Sequence, residues 1–218
     1  MRRKKDRPQD AGTENSSFTR RDFLKGAGVT VSSGLLLGPA TADAAPPQKE
    51  SDFVGPGAVP VTLRVNGKIH KLNLEPRVTL LDALRDTLDS TGAKKICDRA
   101  SCGACTVWMD HKPVYACTTL AIEVEGHEIT TIEGLAAEDQ LTPVMDAFVN
   151  HDAQQCGFCT PGFVMASTAM LNRNPNPTME EIEKNLGGNI CRCGTYRGIR
   201  HAVLEAAEKM KGGARGNV

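Results

Sequence analysis

Aromatic residues are scarce in this chain. Six Phe, two Tyr and one Trp make 4% of 218 residues, so neither core can lean on large rings and another tie must help hold the structure. An excess of charge of one sign is also missing, with 26 Lys/Arg against 26 Asp/Glu. Residues 1–44 carry eight of those cations and five of those anions, which leaves 18 against 21 in the remainder, net −3. Such a balance offers nucleic acid no electrostatic footprint. No apolar run is long enough to span a bilayer: the best stretch, Gly26 to Leu37, is short and diluted by Gly and Ser. No glycine-rich phosphate loop appears, which excludes a dinucleotide site in this chain. No internal repeat links its halves.

What the chain does have is eight cysteines in two groups of four, with none left over. Cys97, Cys102, Cys105 and Cys117 read C-x4-C-x2-C-x11-C, and Cys156, Cys159, Cys191 and Cys193 read C-x2-C-x31-C-x-C. The first spacing is that of plant-type [2Fe–2S] ferredoxins. Short gaps put thiolates on one tight loop, and Gly103 and Ala104 let backbone N–H groups approach the cluster sulfurs. Two full thiolate sets imply two [2Fe–2S] clusters and single-electron transfer. Structural zinc is the alternative, better suited to the second group than to the first. A disulfide framework is another, since eight cysteines allow 105 connectivities.

The N-terminus bears on that choice. A basic stretch ends in Thr19-Arg20-Arg21-Asp22-Phe23-Leu24-Lys25, an apolar stretch follows, and Ala40-Thr-Ala-Asp-Ala44 offers an A-x-A cleavage site after Ala44 or Ala42. The paired arginines followed by Phe-Leu-Lys resemble a twin-arginine signal. Such a signal implies export in the folded state to the periplasm, with no stable membrane anchor. It suits clusters built on reduced thiols in the cytoplasm and weakens the disulfide reading.

Residues 45–58 read as a flexible lead-in. Val61, Leu63 and Val65 alternate as in a half-buried strand. Asn66-Gly67 is a hairpin signal, and Lys68–Leu74 alternates again. Thr79 caps an expected helix through Leu80, Leu81, Leu84 and Leu88. Strands are expected at Thr106–Met109, at Val114–Thr118 carrying Cys117, at Ala121–Val124 and at Ile129–Ile132, with a turn at Asp110-His111-Lys112. Residues 59–134 are therefore an α+β domain. After Gly134 the period becomes helical. Helices are expected from Thr142 to Asn150, from Thr160-Pro161 as cap and first residue, from the capping box Thr178-Met-Glu-Glu181 to Gly187-Gly188, and from Tyr196 to about Lys211. Residues 135–211 form a four-helix domain with cysteines on two loops, and residues 212–218 a flexible tail.

Cys97-Asp98, Cys102-Gly-Ala-Cys-Thr-Val107, Gln155-Cys-Gly-Phe-Cys-Thr-Pro-Gly162 and Asn189-Ile-Cys-Arg-Cys-Gly-Thr-Tyr196 resemble the iron–sulfur subunit of the xanthine oxidase and aldehyde oxidoreductase family of molybdenum hydroxylases. The resemblance covers about Val59 to Lys211. It implies a β-grasp ferredoxin-like domain followed by an all-α [2Fe–2S]-binding domain. It implies that Gln155 and Cys193 approach the pterin of a molybdenum cofactor on a large partner subunit. Electrons would pass from that cofactor through both clusters to FAD on a medium subunit of a heterotrimer. No catalytic residue is expected in this chain, and the substrate would be oxidised on another polypeptide.

The five histidines, His70, His111, His127, His151 and His201, have no ligand spacing and read as solvated surface. Trp108 reads as core, and Arg192 as surface or a partner contact. An electron-transfer subunit of a periplasmic aldehyde-oxidising enzyme is the expectation. An N-heterocycle hydroxylase subunit and a stand-alone periplasmic double-cluster ferredoxin are the alternatives.

Overall fold

A computed structural model describes residues 54–136 and 140–212 of the protein. The expected signal at 1–44, most of the lead-in and the tail beyond Gly212 lie outside them. No helix among the described residues is long and apolar enough to cross a membrane.

The first half is a mixed sheet built on a tight hairpin. β1 (Val59–Val65) and β2 (Lys68–Leu74) pair antiparallel, Val59 opposite Leu74 and Val65 opposite Lys68. Asn66 and Gly67 turn between them at φ 50° and 74°, a backbone twist that matches the strands. Asn66 also pins the hairpin to the residue that follows the neighbouring strand. Its Nδ2 donates to Thr131 Oγ1 and its Oδ1 accepts from Thr131 N–H, each at 2.9 Å. β3 (Thr106–Met109) and β4 (Lys112–Tyr115) form a second hairpin across Asp110-His111. β5 (Glu128–Thr130) lies between the hairpins, parallel to β1 and antiparallel to β3, giving the order β2-β1-β5-β3-β4. Val61, Leu63 and Val65 point into a core with Leu80, Leu81 and Leu84.

Three local expectations change. The helix after Thr79 is a short α1 (Leu80–Asp82) that widens into a π-helical turn, Ala83–Thr87. The Leu88 N–H reaches back to the Ala83 carbonyl at 3.1 Å, and the wider winding keeps both Ala83 and Leu84 buried. Ala121–Val124 is a 3₁₀ helix rather than a strand. Ala121 and Val124 are both buried while Glu123 is exposed, a spacing of three that strand alternation cannot satisfy. β4 stops at Tyr115, so Cys117 sits in the turn beyond it, and β5 stops at Thr130 before a second 3₁₀ turn, Ile132–Gly134.

The second half is helical: α2 (Pro143–Asn150), α3 (Thr160–Arg173), α4 (Met179–Asn185) and α5 (Tyr196–Gly212). Thr142 caps α2 by accepting from Met145 N–H at 3.3 Å. The capping box of α4 is complete: Thr178 N–H donates to Glu181 Oε2 at 2.7 Å, and Glu181 N–H to Thr178 Oγ1 at 3.2 Å. α4 ends at Asn185, short of the two glycines. At α3 the cap is Cys159, whose carbonyl takes the Phe163 N–H at 3.1 Å. Thr160 is the first helical residue, and its buried hydroxyl has no hydrogen-bond partner. α5 runs one residue past the expected end. α3 is the central helix, with Phe163, Val164, Met165, Ala169, Met170 and Leu171 all buried.

Candidate metal centres

The first cysteine loop wraps tightly between α1 and β3. Asp98, Ala100 and Gly103 stand at φ 55°, 54° and 68°, a run of left-handed backbone that turns N–H groups inward. Ala100 N–H donates to Cys117 Sγ at 3.3 Å and Ser101 N–H to Cys97 Sγ at 3.4 Å. Cys105 and Cys117 are buried, and Cys97 and Cys102 half-buried. Burial pushes the Cys105 thiol up to about 12, against the Cys117 N–H and aided by the Cys117 and Cys102 thiols. Burial also works upward on Cys97, but the N–H groups of Arg99 and Ser101, the Cys102 thiol and the Cys102 N–H bring it down to about 7. Tyr115 feels all four: its hydroxyl is raised by burial and then by Cys105, Cys102, Cys117 and Cys97.

The second quartet repeats this chemistry on helical loops. Cys156 and Cys159 precede α3, and Cys191 and Cys193 precede α5. Cys159 is pushed up to about 12 by burial and by the neighbouring Cys191 thiol. Cys191 is raised by burial and lowered more by the Thr195 hydroxyl and N–H, the Cys159 thiol and the Cys193 N–H, ending at about 7. Cys193 is exposed, and its thiol is raised: the Cys156 N–H lowers it, but the Cys156 thiol and partial burial outweigh that. Gln155 is exposed beside them, as is Phe158 at 58%.

All eight thiols are free, and none is bridged in a disulfide. The sulfurs neighbour one another in pairs: Cys97 with Cys102, Cys105 with Cys117, Cys156 with Cys193 and Cys159 with Cys191. Among the described residues no three His, Cys, Asp or Glu side chains gather closely enough to hold one metal ion. A tetrahedral zinc site needs four ligands on one ion. Two neighbouring pairs of thiols in each set suit a two-iron core, with one pair for each iron, and a buried thiol reluctant to ionise alone ionises when it ligates a cation. The donor sets therefore fit two [2Fe–2S] groups.

The two loops touch. Ile190 N–H donates to the Cys102 carbonyl at 2.9 Å, which joins a residue beside Cys191 directly to a cysteine of the first quartet. Asn189 Nδ2 donates to the Gly103 carbonyl at 3.0 Å and Tyr115 Oη to the Gly188 carbonyl at 3.2 Å. A Cβ on Gly103 would stand 2.6 Å from Asn189 Nδ2, and one on Gly188 would stand 2.2 Å from Tyr115 Oη. Trp108 lies in the core, as expected, but in the core of the helical half. Its Nε1 donates to the Met165 carbonyl at 3.0 Å, and its ring packs among the residues of α2, α3 and α5. Asn189 falls within a cysteine motif, yet nothing in its spacing announces its contact with Gly103. The histidines are exposed or half-exposed. His127 Nδ1 pairs with Asp110 Oδ2 and His151 Nε2 with Glu205 Oε2, each at 2.5 Å, and none joins a cysteine group.

Comparison with known proteins agrees with these donor sets. Residues 63–136 match the 2Fe-2S iron-sulfur cluster binding domain and residues 131–204 the [2Fe-2S] binding domain. The aldehyde oxidoreductase iron-sulfur-binding subunit PaoA of Escherichia coli is 41% identical over 89% of this chain and 90% of its own length. The chain belongs to the iron–sulfur subunits of the molybdenum hydroxylases. The small subunit of nicotine 6-hydroxylase from Paenarthrobacter nicotinovorans is 45% identical over 68% of this chain and 89% of its own. A chain of the crystal structure of quinoline 2-oxidoreductase from Pseudomonas putida superposes with a TM-score of 0.69 at 38% identity, covering 74% of this chain and 99% of that one. As a member of this family the chain has a ferredoxin-like sheet domain and a helical domain, each binding a [2Fe–2S] group, and is a component of an oxidoreductase.

Proposed function

We propose that this chain is the electron-transfer subunit of an exported molybdenum hydroxylase that oxidises aldehydes to carboxylic acids, linking a molybdenum-cofactor subunit to an FAD subunit. Cys97, Cys102, Cys105 and Cys117 would hold the first [2Fe–2S] group, and Cys156, Cys159, Cys191 and Cys193 the second. These groups supply one-electron storage. The protein supplies the rest. Buried Cys105, Cys117, Cys159 and Cys191 keep water from half of each site, and loop N–H groups steady the sulfurs. The Ile190 to Cys102 hydrogen bond holds the two loops in contact, and that contact is the observation that carries the reading. Gln155 and Cys193, exposed at the outer end of the second site, would face the molybdenum-cofactor subunit.

Aldehydes are favoured over N-heterocycles by the leader. A match over 89% of 218 residues cannot be reached from residues 45–218 alone, so likeness to the aldehyde oxidoreductase subunit runs into the expected signal segment, residues 1–44. The match to the nicotine 6-hydroxylase subunit covers 68% and requires no such extension. The same segment carries Arg20-Arg21 and supports twin-arginine export to the periplasm. Purification of the complex from its native host, followed by turnover on an aldehyde panel and on N-heterocycles with an artificial acceptor, tests the proposal. Recovery without any larger partner would favour a stand-alone ferredoxin, and turnover of N-heterocycles alone would replace the substrate class.

A further inference from the structure

Thr195 precedes α5, where a threonine hydroxyl ordinarily accepts from an N–H two or three residues on. Its carbonyl does take the first helical bond, from Ile199 N–H at 3.0 Å. Its hydroxyl instead lies 3.1 Å from Cys191 Sγ, with both residues buried. The next residue completes a clasp: the Cys191 N–H donates to Tyr196 Oη at 2.9 Å. Adjacent side chains thus hold one cysteine by its sulfur and by its backbone. The first quartet is served differently. There the contacts to Cys97 and Cys117 come from the backbone N–H groups of Ser101 and Ala100, which no change of side chain removes.

A hydroxyl both donates and accepts. A ligating cysteine carries no proton, so in the loaded protein the Thr195 hydroxyl is the donor and the Cys191 sulfur the acceptor. We infer that Thr195 is a positioning residue that raises the reduction potential of the second centre through this hydrogen bond. The inference rests on the reading of Cys191 as a cluster ligand. One electron enters on reduction, and no bond forms or breaks. The added negative charge spreads over the sulfurs, and a donor aimed at one of them stabilises the reduced form more than the oxidised form. The second centre would therefore carry, besides its backbone N–H groups, a replaceable hydroxyl donor with no counterpart among the described contacts of the first quartet.

The test is a redox titration of the purified complex followed by electron paramagnetic resonance, on wild type, Thr195→Val, Thr195→Ala and Thr195→Ser. Removal of the hydroxyl is expected to lower the reduced-to-oxidised ratio of one centre about tenfold at fixed potential, a shift of ~59 mV for one electron. The other centre should not move, and Thr195→Ser should match wild type. Unmoved midpoints in the Val and Ala variants would overturn the inference. So would a Ser variant displaced as far as the Val variant, because the methyl group would then be the cause. Loss of the second signal in both Val and Ala variants, with Ser intact, would also overturn it, since the hydroxyl would then be holding the loop. Iron and acid-labile sulfide are measured on every sample. Wild-type protein with well under the roughly four irons that two [2Fe–2S] groups require would remove the cluster reading itself, and the inference with it.

Discussion

Gly162 has no room for a side chain. A Cβ there would stand 2.3 Å from the Gly103 carbonyl oxygen and 3.0 Å from Ala104 Cα. Both are backbone atoms of the first cysteine loop, so nothing flexible can yield. Gly162→Ala should cost about 1–3 kcal/mol, the range for overpacking, read as a lower urea midpoint; an unchanged midpoint would mean the first turn of α3 and the first cysteine loop do not pack this closely. Cys193→Ser offers a harder oxygen in place of thiolate at the exposed end of the second quartet. The subunits should still assemble while aldehyde turnover slows, and normal turnover would take Cys193 out of the electron route. Glu205 gives a pH dependence. Lys209, then Asn150 and His151, hold its carboxyl down to about 2 against an ordinary 4.5. A depressed folded value means the stabilisation is complete above 4.5 and is lost as the pH falls toward 2. Glu205→Gln should therefore lower Tm at pH 7, and the gap from wild type should narrow as the pH drops below 4.5; a gap of constant size would assign the effect to packing instead.

At the scale of the element, short-range signals were readable and cross-chain ones were not. Alternation in Val61, Leu63 and Val65, the Asn66-Gly67 turn and the Thr178–Glu181 box each follow from a few neighbouring residues, and each is present. Thr178→Ala removes one partner of that box and should cost about 1 kcal/mol, measured by thermal unfolding. Ala121–Val124 was misread because four apolar-rich residues fit a strand and a 3₁₀ turn equally until the burial of Val124 decides between them. The eight cysteines were legible as two sets because metal ligation leaves fixed spacings. The contact between the sets was not. Asn189 meets Gly103 across 86 residues and Trp108 meets Met165 across 57, and no local period encodes such a pairing. Thr195 was hidden for a related reason: before a helix, a threonine reads as a cap, and only the fold turns its hydroxyl toward sulfur.

Across the whole molecule the two centres sit on unlike supports, a sheet-side loop rich in left-handed backbone and a pair of helix-initiating loops. Unlike burial and unlike sulfur contacts set unlike potentials. Electron paramagnetic resonance of the reduced protein is expected to resolve two signals, and a single signal of one spin per chain would refute two centres. Export belongs to this scale too. Arg20→Lys with Arg21→Lys should retain loaded protein in the cytoplasm, and normal export of the double variant would point to another route.

Trp108 is the sole tryptophan of the chain, and it is carried by a strand of one half while buried among the helices of the other. Its indole is a native optical gauge of the seam. Emission from that one ring reports whether the halves are joined, without a label and without background from any second indole. In protein stripped of metal, a red shift on mild denaturation would register the parting of the halves before either loses its own backbone structure, whereas a shift coincident with loss of the helical circular dichroism would show that they come apart and unfold as one.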